Sequence, residues 1–335
     1  MGRFIIRRLM STCLLLVGVI LMTFALARLL PGDAARLIAG ARASPEAVAA
    51  VRENMGLDDP VAQQFLHYFG QVMQGDFGRS IISRRPISQD MLTYVPATLE
   101  LVFFAAIVSL IGGLALGTIA AAHSKTVPDV AVRGVAVVGL SVPDFWLALV
   151  IQLIFFAGLG VLPFGGRLDL GVTPPDYVTG FLTIDSLLAG RTDLLGQSLI
   201  HLILPVWVLS IPSMAITIRV VRTTMLDVLT QDYIRTARAK GIAPWRVYAR
   251  HALGNTMLPV ITIFGLNLGL MISGAVFIEL IFDWPGLGRY TANAIGGSDY
   301  NAIMAITLVV AVSYTIINLM VDLSYAFFDP RVNLR

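Results

Sequence analysis

The decapeptide DYIRTARAKG, residues 232–241, places Asp232, Arg235, Arg238 and Lys240 within ten positions of a chain in which only 13 % of residues are charged. Arg246 and Arg250 follow shortly after. Local chemistry predicts a short helix: Thr230 as N-cap, Asp232 in the first turn, the three cations toward the far end, and Gly241 as the stop. A second helix is expected from Pro244 at its first position, carrying Arg246, Arg250 and His251 and ending near Gly254. Two capped helices joined at a glycine make a rigid cationic elbow. Anionic lipid headgroups, at about 1 kcal/mol per basic residue, are one match for it. Thr236, Ala237 and Ala239, interleaved with the charges, leave a face of low relief that suits a partner's cleft better.

A second constellation, Ser141-Val142-Pro143-Asp144, lies inside an apolar run. Proline removes a backbone donor and bends or breaks a helix. Serine followed three residues later by aspartate is the capping-box pattern, so two half-helices with a new start at Ser141 are expected. An ionisable Asp144 at that depth either lines an aqueous path, where it could meet a cationic group, or only caps the second half-helix. Ser141, Pro143, Asp144 and Glu279 are the candidate path residues. Glu100, Arg219, Glu279, Asn318 and Asp322 stand near the ends of apolar runs and read first as structural. Asn318 and Asp322 share a helix face, which makes an Arg219–Asp322 pair plausible.

Catalytic patterns are missing. No phosphate-binding G-x-x-x-x-G-K-[ST] loop and no H-E-x-x-H occurs, and His67, His123, His201 and His251 are scattered without metal-ligand spacing. GLGVLPFGG has glycines without the strand–turn–helix setting of a dinucleotide site, and no nucleophile elbow is present. A conduit or receptor is expected rather than an enzyme, with no metal site, no cofactor of its own and no nucleic acid partner.

The elements that position these residues follow from composition. The chain of 335 residues is 56 % hydrophobic. Crossing about 30 Å of hydrocarbon takes roughly 20 apolar residues. Six stretches qualify, near 9–30, 98–122, 134–161, 199–221, 258–282 and 303–326, and lipid obliges each to be helical. The first starts after Arg3, Arg7 and Arg8 and is longer than the usual ~7–15 residue signal core, so an uncleaved anchor is expected. Cys13, the single cysteine, lies within it. Both lysines and most span-end arginines fall in 1–8, 123–133, 222–257 and 327–335, which sets those segments and both termini in the cytoplasm. Segment 31–97 is then a long external loop. Ser44-Pro45-Glu46 and Asp59-Pro60 each open a helix there, the second with Val61, Phe65, Tyr68, Phe69 and Val72 on one face. The organisation expected is a tail and first span at 1–30, an external helical loop at 31–97, and a core of five further spans at 98–335.

The segment DYIRTARAKGIAPWRVYARHALGNTMLPVIT resembles the cytoplasmic EAA loop of importer-type ATP-binding cassette permeases. Ala237, Gly241, Leu258 and Pro259 stand at the motif positions. Arg235-Thr236 replaces the common glutamate, a form usual in the peptide and nickel branch. LLPGD at 29–33, GDFGRS at 75–80, PATLEL at 96–101, SVPDFW at 141–146, TGFLTIDSLLAG at 179–190, HLILP at 201–205, DWPGLGR at 283–289 and VDLSYAFFDPR at 321–331 are similar to the B-type subunits of the dipeptide, oligopeptide and nickel group, the dipeptide branch above all. Asp144 departs from that pattern, where a neutral side chain is more usual.

The resemblance implies an all-α polytopic protein of the bacterial inner membrane with six transmembrane helices and the type I importer fold. It implies a second, homologous permease subunit, two cytoplasmic ATPases that carry ATP and magnesium, and an external peptide-binding protein. Asp232, Tyr233, Arg235, Thr236, Ala237, Arg238, Lys240, Gly241 and Arg246 would couple this chain to an ATPase. Dipeptides or short oligopeptides would be the cargo, with nickel chelates, glutathione or murein peptides as alternatives. An ion-driven secondary transporter would need paired broken helices with matching carboxylates. Asp144 has no such counterpart.

Overall fold

The computed structural model describes residues 2–29, 35–36, 43–54 and 58–328. Residues 30–33 of the LLPGD motif and the tail arginines Arg331 and Arg335 lie outside them. Helices α1 (Gly2–Leu29), α2 (Pro45–Asn54) and α3 (Val61–Met73) precede the long α4 (Ile87–Ala122). Next come α5 (Val127–Ser141) and α6 (Asp144–Gln152), the latter running into a π-helical turn at Leu153–Gly158. A short α7 (Leu182–Leu188) leads to α8 (Thr192–Leu229) and α9 (Asp232–Ala239). The chain ends in α10 (Pro244–Ile281), α11 (Leu287–Gly296) and α12 (Tyr300–Phe328). Among the described residues an isolated bridge between Arg79 and Pro86 is the one extended pairing.

Four of these helices, α4, α8, α10 and α12, are long and apolar enough to cross a membrane, and the bent pair α5–α6 makes five if it counts as one span. The first expected stretch corresponds to α1, apolar over Leu9–Ala25. Pro96, Pro205, Pro212 and Pro259 sit inside these helices without ending them. Neighbouring helices and side chains re-satisfy the freed backbone groups in such spans.

Contacts divide the chain into two units, one of residues 1–97 with 285–316 and one of 98–284 with 317–335. The expected core at 98–335 is therefore interrupted. Segment 285–316 joins the first unit because Leu287, Tyr290, Ala294, Ala302, Ala305 and Ile306 form one apolar core with Ile87 and Met91. Within that unit Ser44 caps α2, accepting the Ala47 N–H at 3.3 Å. Phe65 and Tyr68 of α3 pack on Phe24 of α1 at ring distances of 5.5 and 5.9 Å. The buried Asp299 carboxylate accepts Ser80 Oγ at 2.6 Å and the Ile81 N–H at 2.8 Å, which pins the 75–86 loop to the start of α12.

In the second unit α8 is the central helix, packed by α5, α6, α7 and α10. Leu202, Leu209, Ile218, Val221 and Met225 supply its buried side chains. Small residues allow the close approach that helices in lipid rely on. A Cβ added to Gly139 of α5 would stand 2.8 Å from Ile211 Cγ2 of α8, and Ala136, Ala215 and Ile218 form a tight cluster beside it.

Candidate functional site

The elbow after α8 exists, with its caps rearranged. Thr230 does not start α9. It ends α8, and its Oγ1 donates to the Asp227 carbonyl at 2.7 Å. Gln231, in extended conformation, takes the N-cap position without a side-chain bond. The physical reason is that α8 runs on to Leu229, so Thr230 is claimed by the helix before it.

The other end follows expectation. Gly241 adopts φ +75°, its N–H bonds the Arg238 carbonyl at 3.0 Å, and the Ile242 N–H bonds the Ala237 carbonyl at 3.2 Å. That pair of bonds is the Schellman arrangement, and left-handed backbone at its glycine is what makes the turn inexpensive. Beyond it Pro244 opens α10 with Ala243 as N-cap. Gly254 is not a stop: the helix passes through a π-helical turn at Val247–Ala252 and continues to Ile281. A helix that runs straight into a span has no exposed end for a glycine to close.

Ile234 and Ala237 face inward and are buried, which leaves Asp232, Tyr233, Arg235, Thr236, Arg238 and Lys240 exposed on α9. Ala237 therefore serves packing within this chain, not an outward low-relief face. Exposed Trp245 carries the Arg246 guanidinium 5.1 Å from its ring centre. Arg235 reaches Asp232 at 3.3 Å, an exposed pair worth little. Beneath the elbow Ala252 packs with Ala121 and Met225, flanked by Tyr248 and Leu226. The outer surface thus combines the Tyr233 and Trp245 rings with exposed arginine and lysine, a composition that complements an acidic protein groove.

The second expected site is a true break with different chemistry. Ser141 is the last residue of α5, and its Oγ donates back to the Val137 carbonyl at 2.8 Å. The capping box is not formed. Proline drives the residue before it out of helical backbone, and Val142 has φ −86° and ψ 126°. Pro143 itself becomes the N-cap of α6, and the two helices diverge by 105°. Asp144 occupies the first turn of α6, partly exposed, and its carboxylate has no hydrogen-bond or ion-pair partner among the described residues. Ser141 and Pro143 are exposed beside it.

The remaining candidates separate. Glu279 is fully buried in α10 and accepts Thr98 Oγ1 of α4 at 2.5 Å, so it is anchored between two helices. Arg219 is exposed on α8, and Asn318 is partly buried on α12. The Asp322 side chain, and with it the proposed Arg219 pair, lies outside the described residues.

Sequence reasoning missed two polar clusters in the second unit. Around Glu100, Arg167 Nη2 donates at 2.5 Å while Thr183 supplies its N–H at 2.8 Å and Oγ1 at 2.6 Å. The same guanidinium reaches the Gly180 carbonyl at 3.1 Å and lies 5.7 Å from the Trp284 ring centre. Glu100 and Arg167 are both buried. Nearby, burial works against the Asp185 carboxylate, yet hydrogen bonds from Thr179 Oγ1, the Thr179 N–H and the Gly180 N–H hold its pKa below the usual range. His201 of α8 bonds the Gly165 carbonyl at 2.9 Å and Asp169 at 3.2 Å. These contacts fold the 159–191 loop onto α4, α8 and the end of α10. The signal was present: PATLEL, TGFLTIDSLLAG and HLILP supply most of the partners, but nothing in a linear reading brings them together.

The other cluster joins α5 to α8. Asp129 is fully buried and accepts Arg222 Nε at 2.6 Å, Arg222 Nη2 at 2.9 Å and the Lys125 N–H at 2.9 Å, with Arg133 at 3.3 Å. Among the described residues no group of three or more His, Cys, Asp or Glu is placed to hold a metal ion.

Residues 113–334 match the family described as the inner membrane component of binding-protein-dependent transport systems, and residues 1–102 match the N-terminal part of such membrane components. The chain is 41 % identical over 326 residues to the probable D,D-dipeptide transport system permease protein DdpB of Escherichia coli (strain K12), covering 97 % of this chain and 96 % of that one. It is 39 % identical to the dipeptide transport system permease protein DppB of the same strain, covering 99 % of each. A solved structure of the MetNI methionine ABC transporter, in inward-facing conformations, shares the fold at a TM-score of 0.50 and 15 % identity, over 71 % of this chain and 97 % of that chain.

Proposed function

From the family of inner membrane components of binding-protein-dependent transport systems, to which this chain belongs, we propose the membrane subunit of an ATP-driven importer of dipeptides or short oligopeptides. The relatives named for dipeptide transport support the cargo. A second permease subunit completes the pathway, two cytoplasmic ATPases hold ATP and magnesium, and an external binding protein delivers the peptide.

The observation that carries the reading is the elbow. It is capped and packed from below, and it presents Tyr233, Arg235, Arg238, Lys240, Trp245 and Arg246 outward. Such a joint transmits force because α9 is short, α10 runs on into a span, and the backbone bonds of the turn between them are satisfied. The elbow seats in a groove of one ATPase, with Asp232 and Thr236 at its rim and Gly241 setting its angle. The basic segments then face the cytoplasm. On the path, Ser141, Pro143 and Asp144 line the break in the third span, where non-helical backbone is tolerated because it faces water or protein. Glu279 supports the wall from behind. This chain supplies motion and passage and leaves hydrolysis to its partners.

Uptake of labelled di- and tripeptides into proteoliposomes holding the assembled transporter, with and without ATP, tests the reading. ATP-dependent accumulation of dipeptide is expected. ATP-dependent uptake of nickel alone would discard the cargo, and uptake without ATP would discard the importer.

A further inference from the structure

The Asp129 carboxylate is fully buried, while the Arg222 side chain that grips it is 21 % exposed. Burying an ion pair is often no better than packing apolar groups of the same volume, so such a pair is best explained by the register or state it selects. What it selects follows from its place. Arg222 lies about two turns before the end of α8, and only Thr230 and Gln231 separate α8 from the elbow helix α9. A displacement of α9 therefore reaches α8 with no slack segment between them. Asp129 sits in the first turn of α5 and is gripped by both Nε and Nη2 of Arg222, a two-pronged contact that fixes orientation as well as distance. Farther along, Ala136 and Gly139 close α5 onto Ala215, Ile218 and Ile211 of α8. The next point at which the backbone leaves helical geometry is Val142–Pro143, at the 105° break that carries Asp144.

We propose that Asp129 and Arg222 are positioning residues for energy coupling: their clamp makes α5 travel with α8, so that movement of the elbow is delivered to the break at Val142–Pro143. This rests on the importer reading above and assigns to it the residues that link drive to path. Asp129 is not the peptide's partner, since its acceptor sites are already filled from within the chain.

The test uses the whole transporter in proteoliposomes with its partner permease, ATPases and binding protein, radiolabelled L-alanyl-L-alanine as cargo, and the number of peptides moved per ATP as the readout. Asp129→Asn combined with Arg222→Met removes both charges of the clamp together, and Arg133, which also reaches Asp129, is half-exposed and keeps water as its partner. This double variant is expected to assemble and to hydrolyse ATP near the wild-type rate, while peptides per ATP fall at least about fivefold, the lower end of typical coupling effects. Wild-type stoichiometry in that variant would overturn the clamp, because a purely structural pair is dispensable once both charges are gone. Arg222→Lys gives a second reading. It keeps the charge and loses the two-pronged grip, and an intermediate stoichiometry at unchanged ATPase rate is expected. Full coupling in Arg222→Lys would likewise overturn the proposal. Failure of the wild-type complex to show ATP-dependent uptake would overturn the importer reading and the clamp with it.

Discussion

Replacing Arg167 by methionine should destabilise the second unit sharply. The side chain is buried, and its loss leaves the Glu100 carboxylate charged with only the two Thr183 donors. Removing one partner of a buried pair costs about 3–5 kcal/mol. The Gly180 carbonyl also loses its donor, a further ~1 kcal/mol that overlaps with the first figure. At roughly 2 °C per kcal/mol for a unit of this size, the unfolding midpoint should drop by at least about 6 °C. Tryptophan fluorescence of the solubilised transporter is a direct probe, because Trp284 lies beside the guanidinium. The reasoning is sharpened by the double variant Glu100→Gln with Arg167→Met. Glutamine still accepts from Thr183 and carries no charge, so stability should recover to within about 1 kcal/mol of wild type. Simple addition of the two single losses would show that the pair does not act as a unit and would refute the account.

Gly241→Val should uncouple ATP hydrolysis from uptake more than Gly241→Asn does. The position has open space around it but a φ of +75°, a conformation costing most residues about 1–2 kcal/mol and a β-branched one more; equal coupling in the two would remove the glycine's role. Gly241→Asp, which adds an anion to a cationic joint, is expected to leave the subunit inserted and its uptake lost in the same flux assay. Asp144→Asn should lower peptide uptake at low and saturating substrate with expression intact, and unchanged uptake at both would take Asp144 off the path. Acid should weaken the 159–191 loop. The Asp185 pKa is lower folded than unfolded, so its contribution is present above the ordinary carboxylate pKa and is lost as pH falls through the depressed folded value. Asp185→Asn should flatten the acid limb of a stability–pH curve, and an unaltered limb would contradict this.

Much of the architecture was legible because lipid imposes a simple rule: long apolar runs must be helices. The break at Pro143 and the glycine turn at 241 were legible for a similar reason, since both residues act on their own backbone. The errors fell where one segment's fate depends on its neighbour. Thr230 looks like a start until α8 is known to reach it, and Ser141 looks like a cap until the preceding helix claims its hydroxyl. Gly254 looks like a stop until the π-helical turn carries the helix past it. The buried pairs were illegible for another reason. Glu100 and Arg167, like Asp129 and Arg222, are far apart in the chain, and a linear reading does not pair charges so distant.

The π-helical turn at Val247–Ala252 sets a phase. A wide turn accommodates one residue more than the α-helix around it, and each residue advances a helix by about 100°. Trp245 and Arg246 lie on one side of that insertion and the membrane-embedded length of α10 on the other. The azimuth at which the elbow faces its partner is thus fixed by the count of residues in a single turn, independently of which side chains the elbow displays. Removing Ala249 would leave every exposed arginine in the chain and swing Trp245 and Arg246 away by about a quarter of a revolution.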